Sequence, residues 1–271
     1  MESMKSFVIY FLIVVMILAI MFPLYVMARI SLSEPQEVFQ DRPSYLIRQP
    51  TLRHFQDVVQ SGEVFFGPLR KSLIVAFCVS LLGLMIATPA AYAISRFDYR
   101  ARYVFLVVIF AARMIPEVTI ALPVSVTFIR WGLFDTVPGL ILAHLVRVLP
   151  IICFIMTGVF ADFPHDIVEQ AYIDGCNRFQ AFIRVVLPLT MTGISVAAVF
   201  GFLFSWDEFI YASYLCLARV TMPLKVFYYV SRGNMFYSAT YAVIITLPVL
   251  FLTILLQKYL KPEYLSGAVK G

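Results

Sequence analysis

Residues 161–189 read ADFPHDIVEQAYIDGCNRFQAFIRVVLPL and form a polar segment between two long apolar stretches. Acids come first in this segment and arginines later, which suits the dipole of a helix, and Pro164 suits a helix start. We therefore predict a short helix from Pro164 to about Tyr172, ended by Gly175, and a second helical run from Asn177 toward Pro188. The charged residues of the segment are Asp162, Asp166, Glu169, Asp174, Arg178 and Arg184.

The composition around this segment is that of a membrane protein. Hydrophobic residues make up 61% of the chain and charged residues 14%, and the mean hydropathy is +0.88. Soluble domains contain about 45–50% apolar and about 25% charged residues. The excess apolar surface is expected to face lipid, as in a multispan membrane protein.

The remaining bulk properties exclude several classes of protein. The net charge of +5 fits the Lys and Arg excess of cytoplasmic loops, and no basic patch interleaved with aromatic residues points to nucleic acid. The cysteines stand far apart without a CxxC pair, so they predict neither a metal site nor a redox motif. They are Cys78, Cys153, Cys176 and Cys216.

Six apolar stretches are long enough to cross a ~30 Å hydrocarbon core as helices. The chain is therefore predicted to be an all-α membrane protein with one transmembrane domain, residues 1–271. Two segments, 30–68 and 207–237, are expected on the external side, with at most short helices in the first. The predicted spans are about 7–28, 72–94, 103–127, 137–160, 185–206 and 240–257.

A local excess of positive charge orients these spans. The connection SRFDYRARY carries Arg96, Arg100 and Arg102 against a single Asp98, which predicts a cytoplasmic turn. This orientation places residues 161–184 and both termini on the cytoplasmic side. The arginines of the 30–68 segment fit the rule poorly. A polar loop on that side has nothing in the lipid to bind and suits a cytoplasmic partner.

The polar segment resembles a known signature. Glu169-Gln170-Ala171, three residues, Gly175, nine residues, Val185, one residue and Leu187-Pro188 is similar to the EAA loop of importer-type ATP-binding cassette (ABC) permeases. That signature reads E-A-A, three residues, G, nine residues, I, one residue, L-P. The chain departs from it at Gln170 and Val185, both mild changes. We call residues 161–184 the EAA loop.

The resemblance extends along most of the chain, toward the MalG-like branch of carbohydrate permeases. The fold that it implies is the type I importer permease, with six transmembrane helices and a cytoplasmic coupling helix. The stretches that carry it, besides the EAA loop, are AAYAISRFDYRAR, MIPEVTIALP, RWGLFDT, SWDEF and LSGAVKG.

The resemblance also implies partners and roles. It implies a second permease subunit in a heterodimer, two ATP-binding cassette subunits that carry ATP and Mg, and an extracytoplasmic solute-binding protein, in a bacterial or archaeal plasma membrane. Glu169 would face a basic residue of the ATPase, Ala171 and Gly175 would allow close approach, and the tail with Ser266 and Gly267 would contact the ATPase dimer. The residues implied in coupling are Glu169, Ala171, Asp174, Gly175, Leu187 and Pro188.

Charged residues inside the predicted spans are candidates for the solute path or a gate, because charge at membrane depth is costly. Arg147 is one such candidate, and its alternative role is a pair with Glu117. Arg113 and Glu117 stand one helical turn apart and could instead pair with each other. If both arginines line the cavity, they favour an anionic solute.

At the external end of the fifth span, Trp206 is expected first at the membrane interface, and with Asp207 and Glu208 it is a candidate for the solute path or gate. Asp207 and Glu208 beside it could contact a binding protein or a sugar hydroxyl. His144 is expected to be a packed, hydrogen-bonded side chain rather than a ligand.

The chain contains no GxxxxGK[ST], GxSxG or HExxH motif, so we predict a transport subunit that is not an enzyme and holds no metal or cofactor of its own. The predicted function is the permease subunit of an ATP-driven importer for a carbohydrate or polyol, with the particular solute left open. A self-sufficient ion-coupled transporter or channel is the main alternative, and a membrane-embedded enzyme is the third.

Overall fold

A computed structural model describes residues 2–40 and 45–259, with side chains for 6–40, 45–255 and 257. Within these ranges the regular structure is helical, apart from one isolated β-bridge between Ser33 and Pro50. The predicted tail contacts of Ser266 and Gly267 lie outside the described residues. The helices are α1 (Glu2–Leu32), α2 (Pro35–Val38), α3 (Arg53–Gln60), α4 (Glu63–Ser95), α5 (Tyr99–Ala111), α6 (Glu117–Trp131), α7 (Val137–Ala161), α8 (His165–Ile173), α9 (Arg178–Ala181), α10 (Leu187–Leu189), α11 (Met191–Trp206), α12 (Ile210–Leu215), α13 (Met222–Ser231) and α14 (Met235–Tyr259).

The helices agree with the predicted all-α membrane fold. By length and composition, α1, α4, α7 and α14 can each cross a membrane. Two further pairs qualify if each counts as one span, α5 with α6 and the α9–α11 run, and each pair is bent by 78°. Every predicted span falls on one of these helices or bent pairs. Helix α4 begins at Glu63, earlier than the predicted Ser72, and continues through Pro68.

The first bend lies where proline stops the helix. Ile115 is extended, with φ −69° and ψ 125°, as expected for the residue before a proline. Pro116 then caps α6, whose first residue is Glu117. Arg113 and Glu117 are therefore not one turn apart on a continuous helix, and the predicted pair between them is wrong.

The second bend follows the EAA loop. A wide helical turn, Phe182–Val186, leads from α9 into α10, and Thr190 (φ −102°, ψ 13°) separates α10 from α11. The Thr190 hydroxyl donates 2.8 Å to the carbonyl of Val186, which also accepts the backbone N–H of Thr190 at 3.0 Å.

The chain divides into two compact units, residues 1–68 with 222–248 and residues 69–221 with 249–271. The single predicted domain of 1–271 stays a prediction. In the first unit, α3 packs through the buried His54, whose ring stacks on Phe236 at 5.0 Å. The hydroxyl of Tyr237 donates 3.3 Å to Asp57. The 30–68 segment, predicted to have at most short helices, thus contains two of them, α2 and α3.

In the second unit, close packing of α7 and α11 forms the core. A Cβ added at Gly193 would lie 2.5 Å from Cγ2 of Val159, and one added at Gly201 would lie 2.8 Å from Cδ1 of Ile152. Ala197, between these glycines, is fully buried. The small residues of the fifth span therefore permit close helix packing, as predicted.

Candidate functional site

The EAA loop folds as two short helices joined at a glycine. Helix α8 starts after Pro164, has Asp166 in its first turn and ends at Ile173, close to the predicted bounds. Gly175 has φ +88°, and its N–H donates 3.1 Å to the carbonyl of Tyr172. A Cβ at Gly175 would meet nothing within 4 Å. Within this chain, the left-handed backbone rather than space requires the glycine.

The second helix begins at its N-cap Asn177, as predicted. Its start is a capping box, which was not predicted. The side chain of Asn177 accepts from the N–H of Gln180 at 2.8 Å, and the side chain of Gln180 accepts from the N–H of Asn177 at 3.0 Å. This reciprocal pair fixes the start of α9. The spacing of Asn177 and Gln180 was available in the sequence as a signal.

Helix α8 has one face held by the chain and another that is free in this structure. Val168 and Ala171 are buried, at 4% and 6% exposure, so Ala171 faces the chain's own core. Glu169 lies on the exposed face. Ile173 is 84% exposed and Phe179, after the glycine turn, is 71% exposed. Two large apolar side chains beside an exposed acid form a surface suited to a partner.

A polar cluster connects α6, α7 and the end of α11. Arg147 on α7 has Nε 3.6 Å from Oε1 of Glu117 and Nη2 3.5 Å from Oδ1 of Asp207. These distances exceed the 2.7–2.9 Å of direct charge-assisted hydrogen bonds. Arg147 thus lies within ion-pair distance of Glu117, the pairing that was the alternative to a path role.

A small cavity opens beside this cluster. Its volume is about 50 Å³, and its walls include Arg113, Glu117, Arg147 and Tyr211. The guanidiniums of Arg113 and Arg147 lie 5.3 and 5.6 Å from the ring centre of Phe204. The structure therefore brings both predicted arginines to one cavity, together with the carboxylate of Glu117.

The second polar group on α7 is fully buried. His144 Nδ1 lies 2.8 Å from Oγ of Ser205, and Nε2 lies 3.0 Å from Oε2 of Glu208. The Glu208 carboxylate also accepts the backbone N–H groups of Tyr211, at 2.6 Å, and Ala212, at 3.1 Å. His144 is thus a packed, partnered side chain, as predicted.

The same geometry corrects two expectations at the end of the fifth span. Glu208 is 1% exposed, and both carboxylate oxygens are occupied, so it does not face a binding protein or a sugar. Burial alone would raise the pKa of Glu208, but His144 and the two N–H groups hold it below the ordinary value. Trp206 is 2% exposed and stacks on Phe202 at 5.7 Å, so it packs inside rather than at the interface. The Asp207 side chain remains 65% exposed.

Sequence reasoning missed one polar anchor. Asp135, in RWGLFDT, has φ +54°, and its carboxylate accepts the N–H groups of Leu217 and Ala218 at 3.2 and 3.1 Å. Lys71, 6% exposed, lies 3.8 Å from the same carboxylate. Asp tolerates the left-handed region, but its partners lie too far along the chain to predict. In the described part of the chain, no group of three His, Cys, Asp or Glu residues could hold a metal ion.

Comparison with known proteins gives a consistent result. The family model described as "Binding-protein-dependent transport system inner membrane component" matches residues 79–265. The diacetylchitobiose uptake system permease protein DasC of Streptomyces coelicolor is 27% identical over 95% of both chains. The trehalose transport system permease protein SugB of Mycobacterium tuberculosis is 27% identical over 78% of this chain and 79% of its own.

One solved structure is similar in fold. A chain of a bacterial ABC transporter involved in the import of the acidic polysaccharide alginate superposes with a TM-score of 0.77. The match covers 96% of this chain and 98% of that chain, at 19% identity. The bent spans and the α8–α9 loop therefore belong to a fold already seen in an importer.

Proposed function

The chain belongs to the family of binding-protein-dependent transport system inner membrane components, and we propose that it transports a carbohydrate or a related solute. It is a multi-pass permease subunit of an ABC importer, and such subunits are not themselves enzymes. Two similar permeases are named for trehalose and diacetylchitobiose transport, which supports an oligosaccharide, a sugar derivative or a polyol. Neither the family match nor these relatives favour a self-sufficient ion-coupled transporter.

The importer works with ATPase and solute-binding components, and we propose how they are arranged. A second permease subunit completes a heterodimer, and two cassette subunits bind ATP and Mg. The solute-binding protein docks on the outer face of a bacterial or archaeal plasma membrane. Both termini of this chain lie in the cytoplasm, and the tail at Ser266 and Gly267 approaches the cassettes.

The coupling element of this proposal is α8, and the observation that carries it is the two-faced EAA loop. Val168 and Ala171 hold α8 to the chain, while Glu169 and Ile173 face outward. We propose that a basic residue of a cassette contacts Glu169 on the outward face. Movement of the cassette would then displace α8 as a unit. Asp174 and Gly175 end the helix, and Leu187 and Pro188 carry the displacement into the bent span. ATP-driven closure of the cassettes would then change the bends and alternate the access to the cavity.

Glu169→Lys and Gly175→Asp test this coupling role. Both variants are expected to leave the complex assembled in the membrane and to abolish ATP-driven uptake. The first reverses the charge on the docking face, and the second places a side chain at φ +88°, beyond the roughly +50 to +70° of the left-handed region that Asp tolerates. Arg100→Ala, which changes an exposed charge outside the loop, is the control. Wild-type uptake in both loop variants would refute the coupling role.

The solute path of the proposal passes the cavity lined by Arg113, Glu117 and Arg147, and includes Asp207, whose exposed carboxylate lies 3.5 Å from Arg147. Trp206 and Glu208 are buried, so they are not proposed to touch the solute. A screen of solutes against the partner binding protein, read as a shift in melting temperature, would identify the solute class. Stabilisation by amino acids or metal ions rather than carbohydrates would contradict the assignment.

A further inference from the structure

The Ser95 end of α4 touches the EAA loop through two side chains one helical turn apart. Arg96, just past α4, has Nη1 2.8 Å from Nδ1 of His165, the first residue of α8. Its Nη2 donates 3.1 Å to the hydroxyl of Tyr92, and its guanidinium lies 4.6 Å from the centre of the Tyr92 ring. Arg96 is therefore held by α4 on one side and contacts α8 on the other.

Tyr92 itself packs against both chain ends of the loop. Its ring is 5.4 Å from that of Phe160, near the end of α7, in an edge-to-face arrangement. It is 4.7 Å from the ring of Phe182, directly after α9. The rings of Phe160 and Phe182 also meet, at 6.2 Å. Tyr92 thus packs against the chain just before the loop, at Phe160, and again after α9, at Phe182.

We propose that Tyr92 and Arg96 form a clamp that transmits the displacement of α8 to α4. Helix α8 is joined along the chain to α7 before it and to α9–α11 after it, so those helices follow it directly. Helix α4 is far away in sequence, and the contact of Arg96 with His165 spans 69 positions. The clamp brings α4 into the same movement. The inference rests on the proposed function, because it assumes that a cassette moves α8.

The chemistry of the contact specifies the variants that test it. A guanidinium only donates hydrogen bonds, so Nδ1 of His165 must accept. An Asn side chain carries its oxygen at the position of Nδ1, so His165→Asn keeps the acceptor. His165→Lys removes the acceptor and places a second cation against Arg96. Arg96→Ala removes the donor, and Arg100→Ala removes an exposed charge from the same turn as a control.

The experiment uses the complete importer in proteoliposomes and measures assembly, ATP hydrolysis and solute moved per ATP hydrolysed. We expect Arg96→Ala and His165→Lys to assemble and hydrolyse ATP while the solute moved per ATP falls at least about fivefold, the lower range of an energetic coupling between sites. His165→Asn and Arg100→Ala should stay within about twofold of wild type, as surface changes do. A residue with a merely structural role would lower assembly without changing this ratio.

Two outcomes separate the inference from the function beneath it. If the wild-type importer shows no ATP-driven uptake, the proposed function fails. If it transports, and Arg96→Ala and His165→Lys keep the wild-type ratio, the clamp is refuted while the function stands. If Arg96→Ala does not assemble, the comparison of His165→Asn with His165→Lys decides, and equal ratios refute the clamp.

Discussion

At the scale of single residues, Arg147 joins three elements, because it reaches Glu117 at the start of α6 and Asp207 past the end of α11. Removing its charge leaves two carboxylates near membrane depth without their cation. Carboxylates in that position are costly unless paired. Arg147 therefore stabilises the contact between α6 and α7 beside the cavity.

We expect Arg147→Gln to lower ATP-driven uptake at least about tenfold, the equivalent of ~1.4 kcal/mol in the rate-limiting barrier. Arg130→Gln, at the exposed end of α6, is the matched control and should leave uptake unchanged. The exchange of Arg147→Glu with Glu117→Arg should restore part of the activity. Equal uptake by Arg147→Gln and wild type would exclude a role for this residue in the path or gate.

Residue pairing is also where sequence reasoning reached its limit. The candidate charged residues could be found by their cost in an apolar span, but their partners could not. The Arg113–Glu117 prediction assumed one continuous helix, and Pro116 breaks it. The contacts of His144 with Ser205 and Glu208 depend on how α7 and α11 pack, which no local pattern encodes. Asp135 was missed for the same reason.

At the scale of helices, the glycines of α11 set how close it comes to α7. Val159 is β-branched and stiff, so it cannot easily move away from a new Cβ at Gly193. At Gly201 the nearest atom is the flexible end of Ile152, which can rotate. The two glycines should therefore differ in their tolerance to substitution.

Gly193→Ala is expected to lower the stability of the purified protein by about 1–3 kcal/mol, the usual cost of overpacking. Gly158→Ala, on α7, is the control, because a Cβ there meets nothing within 4 Å and alanine favours a helix by about 1 kcal/mol. Thermal unfolding in detergent measures both. A Gly193→Ala protein as stable as Gly158→Ala would contradict the close packing.

Local signals predicted the helices better than the contacts. Gly175 and Pro164 marked the ends of α8, and Asn177 marked the start of α9, because caps and left-handed turns demand particular residues. Apolar length predicted where spans lie. Pro116 and Pro188 can indicate a break in a helix but do not give its angle, so the 78° bends could not be predicted.

At the scale of the whole molecule, the central claim is that a separate ATPase drives this chain. The family match covers residues 79–265, and α8 exposes an acid, Glu169, and an apolar side chain, Ile173, to a partner. The solute-binding protein is expected to select most of the solute. The cavity beside Arg147 would then serve passage more than recognition.

The most direct test is solute uptake into proteoliposomes that contain either the complete importer or this chain alone. The complete importer should take up solute only with ATP and the binding protein present, and the chain alone should take up none under a proton or sodium gradient. Uptake by the chain alone, driven by an ion gradient and indifferent to ATP, would contradict the account.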